Sequence, residues 1–165
     1  MKKLFFISLL ISSILGCSNS NVKNINCYDY FNNNSVNFSG GFENSGYNVK
    51  SNIVSFNGKN LLIENITDTA TTVEKVYILE KDYVKLVSTT EGKNVNLKDL
   101  DFDKGEIILK SPIKVGDTWT SNGNKYIVVE INDSIIKIKK IFPSNITEIT
   151  TYEKGKGIVD KKINY

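Results

Sequence analysis

Histidine, arginine and glutamine are missing from this 165-residue chain, which holds only two cysteines, two prolines and one tryptophan. Without histidine, the usual nucleophile–base–carboxylate triads and most transition-metal sites cannot be assembled. Two carboxylates could still serve as general acid and base, yet nothing in the sequence sets any two acids together. No motif asks for a cofactor. Long hydrophobic runs are also lacking. The longest, Leu4 to Leu15, has twelve residues, well short of the roughly 20 that a membrane-spanning helix needs.

That short run is nonetheless informative. Met1-Lys2-Lys3 is a basic head, the apolar stretch follows, and Gly16-Cys17 closes it, which is the order of a secretory signal. Ile14-Leu15-Gly16-Cys17 resembles the bacterial lipobox, in which an aliphatic and a small residue precede an obligatory cysteine. The resemblance implies a signal peptide over residues 1–16, cleavage before Cys17, a diacylglyceryl thioether on its sulfur and acylation of the new amino terminus. Two or more acyl chains anchor stably, where one binds only marginally. The expectation is an exported lipoprotein, held through acylated Cys17 to the cell membrane, or to the outer membrane if the host has two.

Removing Lys2 and Lys3 leaves 19 lysines against 18 acids in the mature chain, a net charge of about +1. A balance that close to neutral gives no electrostatic argument for a nucleic-acid partner. The abundance of Asn, Lys and Ile looks like AT-rich codon usage and carries no function. With Cys17 taken by lipid, Cys27 has no intramolecular partner and is expected as a small buried hydrophobe. Residues 17–26 form a polar stretch expected to act as a flexible tether, and residues 27–165 form one domain.

From Tyr28 onward, short β-branched and aromatic runs alternate with turn residues, the pattern of an all-β domain. Asn57-Gly58 and Asn122-Gly123 accept the positive φ angles of type I′ hairpins. Lys81-Asp82 and Asn132-Asp133 separate further strand pairs. Ile136, Ile138 and Phe142 share one face of a strand, with Lys137 and Lys139 on the other. Consecutive hairpins predict an antiparallel meander, curved or closed like a barrel or sandwich to remove its edges.

A faint internal echo suggests half-repeats over 28–90 and 105–165, with Phe38 matched to Trp119 and Tyr77 to Tyr152. Tyr30-Phe31, Ser39-Gly40-Gly41-Phe42-Glu43, Ser111-Pro112-Ile113-Lys114-Val115-Gly116-Asp117-Thr118-Trp119 and Tyr152-Glu153-Lys154-Gly155-Lys156-Gly157-Ile158-Val159 together resemble small lipoproteins of low-GC, clostridia-like bacteria. The resemblance departs at Asn32-Asn33-Asn34-Ser35, where those proteins often run through a Pro-Leu-x-x-Gly-x-x-Trp-like segment. It implies an extracytoplasmic all-β domain and brings no activity.

Asp99-Leu100-Asp101-Phe102-Asp103-Lys104-Gly105-Glu106 is the sharpest polar cluster. An EF-hand loop counted from Asp99 would need Gly at Lys104 and Glu at Lys110, so a solvated turn is the expectation. Gly155-Lys156-Gly157 is too short to cradle phosphate and opens no helix. The aromatic residues Tyr28, Tyr30, Phe31, Phe38, Phe42, Tyr47 and Phe56 are expected mainly as core, as is Trp119. The functional expectation is a membrane-anchored, non-enzymatic binding or structural module of the cell envelope, with an envelope protein or ligand as partner. The rival readings are a carrier holding an apolar ligand in a curved sheet, and a carboxylate-based hydrolase.

Overall fold

The computed structural model describes residues 22–40, 45–69, 71–92 and 95–164. Among them are eleven strands and two short 3-10 turns, Cys27–Tyr30 and Leu97–Asp99, and no α-helix. Strands β1 (Asn34–Phe38), β2 (Tyr47–Phe56), β3 (Lys59–Thr67), β4 (Thr72–Leu79), β5 (Tyr83–Glu91) and β6 (Glu106–Lys110) form one antiparallel sheet in chain order. Strands β7 (Thr118–Ser121), β8 (Asn124–Ile131), β9 (Ile135–Ile141), β10 (Thr147–Glu153) and β11 (Gly157–Asn164) form a second sheet, again in chain order. The all-β antiparallel expectation therefore holds.

The tight turns fall where their chemistry requires. Asn57 and Gly58 have φ of 50° and 72°, Asn122 and Gly123 of 48° and 78°, the doubly positive pair a type I′ hairpin needs. The connection 111–117 contains no such pair, and there the meander breaks. Strand β6, with which the second half-repeat was expected to begin, instead ends the first sheet. Tyr77 and Tyr152 each lie on the fourth strand of their sheet, and each follows a register shift toward the fifth, at Val76/Tyr77 and Thr151/Tyr152.

Side chains, not ladders, close the two seams between the sheets. At β6–β7, Ile107 N donates to Ser121 Oγ at 2.8 Å and Trp119 Nε1 donates to Ile107 O at 2.8 Å. Beside β11, Asn34 Nδ2 on β1 donates to Lys156 O and Asn32 Nδ2 to Gly155 O, both at 2.8 Å. Between the sheets lies the main core, including Leu62, Leu79, Val84, Leu109, Ile136 and Ile138.

The first sheet carries a second core on its outer face. Leu61, Val76 and Ile78 are covered by Val95, Leu97, Leu100 and Phe102 from the β5–β6 connection. With both faces covered, Val76-Tyr77-Ile78-Leu79 is buried throughout. At the end of this connection Gly105 has φ of 136°, and a Cβ there would collide with the Leu86 carbonyl oxygen. Only glycine fits that approach.

The N-terminal segment lies across one end of the inter-sheet space. Lys23 and Ile113 exchange both backbone hydrogen bonds, Ile25 N donates to Ser111 Oγ, Cys27 N to Lys81 O, and Gly155 N to Asp29 O. Residues 22–26, assigned from sequence to a flexible tether, thus pack onto the domain. They do so because Ile113, in the 111–117 connection, presents an N–H and a C=O that Lys23 pairs. Phe31 follows, its ring 6.3 Å from Tyr77 and 5.3 Å from Tyr152, so it joins the two sheets.

Candidate functional site

Inward positions on facing strands place charged groups at the other end of the inter-sheet space. On the first sheet Glu64 (β3) stands opposite Lys75 (β4), with Ser51 (β2) completing the row. On the second, Lys140 (β9) pairs with Tyr126 (β8) and Glu148 (β10), and Thr150 pairs with Lys161 (β11). Three lysines and several acids and phenols are therefore brought under cover by parity alone. Buried charges cost several kcal/mol each unless paired, and most of these are.

Glu106 is the most heavily bonded. It accepts from Asn124 Nδ2, from Tyr126 Oη and from Lys140 Nζ, the last at 2.9 Å. Glu64 accepts from Tyr77 Oη at 2.9 Å. Glu148 lies 3.4 Å from Lys161 Nζ and accepts from Thr150 Oγ1 at 3.2 Å. Burial pushes the Glu148 carboxyl up, but the ammoniums of Lys161, Lys75 and Lys140 together outweigh it and hold it below the usual carboxylate range. Burial first, and then Glu148 and Glu64, raise the Tyr152 phenol, so it stays a neutral donor.

Lys75 differs from its neighbours. It forms no hydrogen bond or ion pair among the described residues. Burial, and after it the charge of Lys161, lower its ammonium below the ordinary lysine value. Lys75, Lys140, Lys161 and Glu148 line a pocket of about 50 Å³ whose apolar walls include Leu86, Ile108, Ile138 and Ile158. A second inter-sheet pocket, along the β1–β11 seam, is about 20 Å³.

The larger depression is at the opposite end, an open groove of about 860 Å³ beside the N-terminal segment. Its charges pair across the surface, with Lys23 to Asp133 at 2.8 Å and Lys154 to Asp29 at 3.3 Å. The hydrogen bond from Lys23 holds the Asp133 carboxyl low. Beneath the segment, Cys27 is free and fully buried. Burial, with Asp82 adding, pushes its thiol up to about 12, which makes it unreactive.

Among the residues singled out from sequence, Cys17 and Phe42 lie outside the described residues. In the acidic stretch the loop bonds to itself. Asp103 N donates to Asp101 Oδ1 at 3.1 Å, Lys104 pairs with Asp101 at 3.1 Å, and Asn96 Nδ2 donates to Asp99 at 2.8 Å. Leu100 and Phe102 point the other way, into the second core, while Glu106 turns inward to the buried cluster. Among the described residues no three acids or cysteines gather as a metal site.

Trp119 packs against the core but is only half-buried, stacked on Tyr126 at 5.1 Å with Lys110 Nζ 5.3 Å above it. Its neighbours Thr118 and Thr120 face water. Gly155-Lys156-Gly157 is the β10–β11 turn that receives the N-terminal segment.

Sequence reasoning missed the buried lysines and glutamates. A signal for one was present, since Lys140 is in phase with Ile136 and Ile138. The chain matches no family model, no curated protein sequence and no solved structure.

Proposed function

We propose that the chain is an exported lipoprotein, anchored through acylated Cys17, whose β domain is a non-catalytic binding or structural module of the cell envelope. The filling of the inter-sheet space is the observation that supports this reading over a carrier. Two pockets there, among the described residues, measure about 50 and 20 Å³, where sites for drug-sized apolar ligands run from roughly 300 to 1,000 Å³. The buried carboxylates are engaged by lysine, tyrosine, threonine and asparagine partners, which favours a structural role for them over acid–base work.

The docked segment fits the anchored reading as well. Lys23 lies only six positions after Cys17, a reach of at most about 22 Å at ~3.3–3.6 Å per residue. The groove end would then ride close to the bilayer. Feeding cells an alkyne fatty acid tests the proposal. The wild type takes up label and sediments with membranes, and Cys17→Ala loses both. Labelling that survives the substitution overturns it.

A further inference from the structure

Three donors meet on one oxygen at the polar end. Glu106 Oε1 accepts from Lys140 Nζ at 2.9 Å, from Asn124 Nδ2 and from Tyr126 Oη. An amine and a carboxamide are thereby held against the same carboxylate. The strands place them there. Tyr126 stands opposite Lys140 in the β8–β9 ladder, Asn124 lies two residues before Tyr126 on the same face, and Glu106 opens β6 across the seam.

The surroundings keep water out. Glu106 is 4% exposed and Asn124 8%, and the Lys140 side chain is 16% exposed. Lys140 Nζ lies 5.6 Å from the Tyr126 ring centroid and 4.6 Å from that of Phe142. Burial, and after it the bond to Glu106, raise the Tyr126 phenol, so it stays a neutral donor to the carboxylate. The same residue types also meet at the surface, with Asn132 and Lys137 on Glu130, and Asn26 and Lys154 on Asp29. There the two nitrogens take opposite oxygens of an exposed or half-exposed carboxylate. Only at Glu106 do they share one atom under cover.

An amine, a carboxamide and an acid are the parts of an amide exchange. The Lys140 ammonium passes its proton to Glu106, which leaves a neutral amine and a carboxylic acid. Nζ then attacks Cγ of Asn124. Glu106 gives its proton to Nδ2 as the Cγ–Nδ2 bond breaks, and takes the one that the attacking nitrogen releases. Ammonia leaves, carrying that last proton as ammonium and restoring the carboxylate. One C–N bond forms, one breaks, and nothing is oxidised or reduced. Holding both partners on one oxygen supplies the orientation that the two groups lack when free in water.

We propose that Lys140 and Asn124 are joined by an intramolecular Nζ–Cγ amide bond, with Glu106 as the acid–base residue of this self-reaction. The ion pair is its reactant. The reaction runs once per chain and turns over no substrate, so the domain stays a binding or structural module. It does not depend on lipidation at Cys17. Variants lacking Glu106 or Lys140 are unlinked alike, so their stabilities compare with one another without the bond.

A peptide map of the unaltered chain, denatured and cut after lysine, tests this by mass spectrometry. A linked chain yields residues 115–125 joined to residues 140–154, one ammonia lighter than the two pieces together, because the acylated Lys140 resists cleavage. The groups at Glu130 and Asp29 stay unlinked. Glu106→Gln keeps the amine and the carboxamide but removes the acid, and should yield residues 115–125 and 141–154 apart. Finding only the separate peptides in the unaltered chain overturns the proposal, as does equal linkage at the two surface sites. A link that forms as fully in Glu106→Gln overturns the role of Glu106. Because the first map uses the unaltered chain, it decides whether the bond exists even if the variant does not fold.

Discussion

The two ends of the inter-sheet space are equally well covered, but by different physics. At the end beneath the N-terminal segment the inward side chains are Cys27, Tyr30, Phe31, Leu79, Val84, Leu109, Ile113 and Ile136, all under a tenth exposed. Burial there is its own reward, since apolar area leaves water at roughly 25 cal/mol per Å². At the other end Glu64, Glu106, Tyr77, Tyr126 and Thr150 are no more exposed, yet each polar atom must find a partner to offset desolvation. The apolar end tolerates loss in proportion to volume. The polar end depends on complete networks, so one deletion there strands its neighbours.

The largest effect should therefore come from Glu106→Ala, which orphans Lys140, Tyr126 and Asn124 at once. Removing one partner of a buried pair costs about 3–5 kcal/mol, read as a lower urea midpoint. Replacing both charges, in Glu106→Leu with Lys140→Met, should recover much of that loss. If the double variant is as unstable as the single one, shape and not charge compensation governs this end.

Leu109→Ala at the apolar end should cost about 2–5 kcal/mol by opening a cavity, and no second substitution at the polar end should rescue it. Coupling between Leu109→Ala and Glu106→Ala beyond roughly 0.5 kcal/mol would mean that the two ends are one unit.

Alkaline titration separates them differently. The Cys27 thiol ionises near 9 when exposed and at about 12 in the fold. Its contribution to stability is thus complete below pH 9 and lost as pH rises toward 12. Tyr77, Tyr126 and Tyr152, also raised mainly by burial, add to the same decline. The urea midpoint should fall across that window, less steeply in Cys27→Ala. A thiol reagent at pH 8 should leave native Cys27 unmodified.

Trp119→Ala comes next, at about 2 kcal/mol. Full burial would set the cost of losing a tryptophan at ~3–5 kcal/mol, but this one is only partly buried. What it loses is the stack on Tyr126 and the hydrogen bond that pins β7 to Ile107. Its emission should be intermediate in colour and partly open to acrylamide. Lys75→Met should change stability least, because its partly buried ammonium makes no hydrogen bond or ion pair among the described residues.

Much of the architecture was legible locally. Asn-Gly dipeptides marked two hairpins, and alternation along Ile135–Phe142 gave the correct inward face for Ile136 and Ile138. The break at 111–117 was not legible, because a loop of ordinary length between two strands looks the same whether they pair or part. The strap 95–102 was hidden for another reason. Its apolar residues are interspersed with acids, and the face they cover was already assigned to one side of a single sheet.

The buried lysines were lost in composition, since 21 lysines in 165 residues make any one of them look like solvated surface. Extra residues at Val87, Val129 and Val159 also reset the count by one on β5, β8 and β11, so parity carried across them misplaces the side chains beyond.

The segment from Lys23 to Phe31 has a mechanical meaning. It is bonded to the β4–β5 turn at Lys81, to the β6–β7 connection at Ile113 and Ser111, and to the β10–β11 turn at Gly155. A pull applied at the amino terminus is therefore shared among three turns drawn from both sheets. It loads the paired hydrogen bonds of Lys23 and Ile113 together, and no single strand is peeled from an edge. Rupture under such a load should first release residues 22–26 as slack and leave both sheets intact, so a tug on the leash lengthens the leash before it harms the domain.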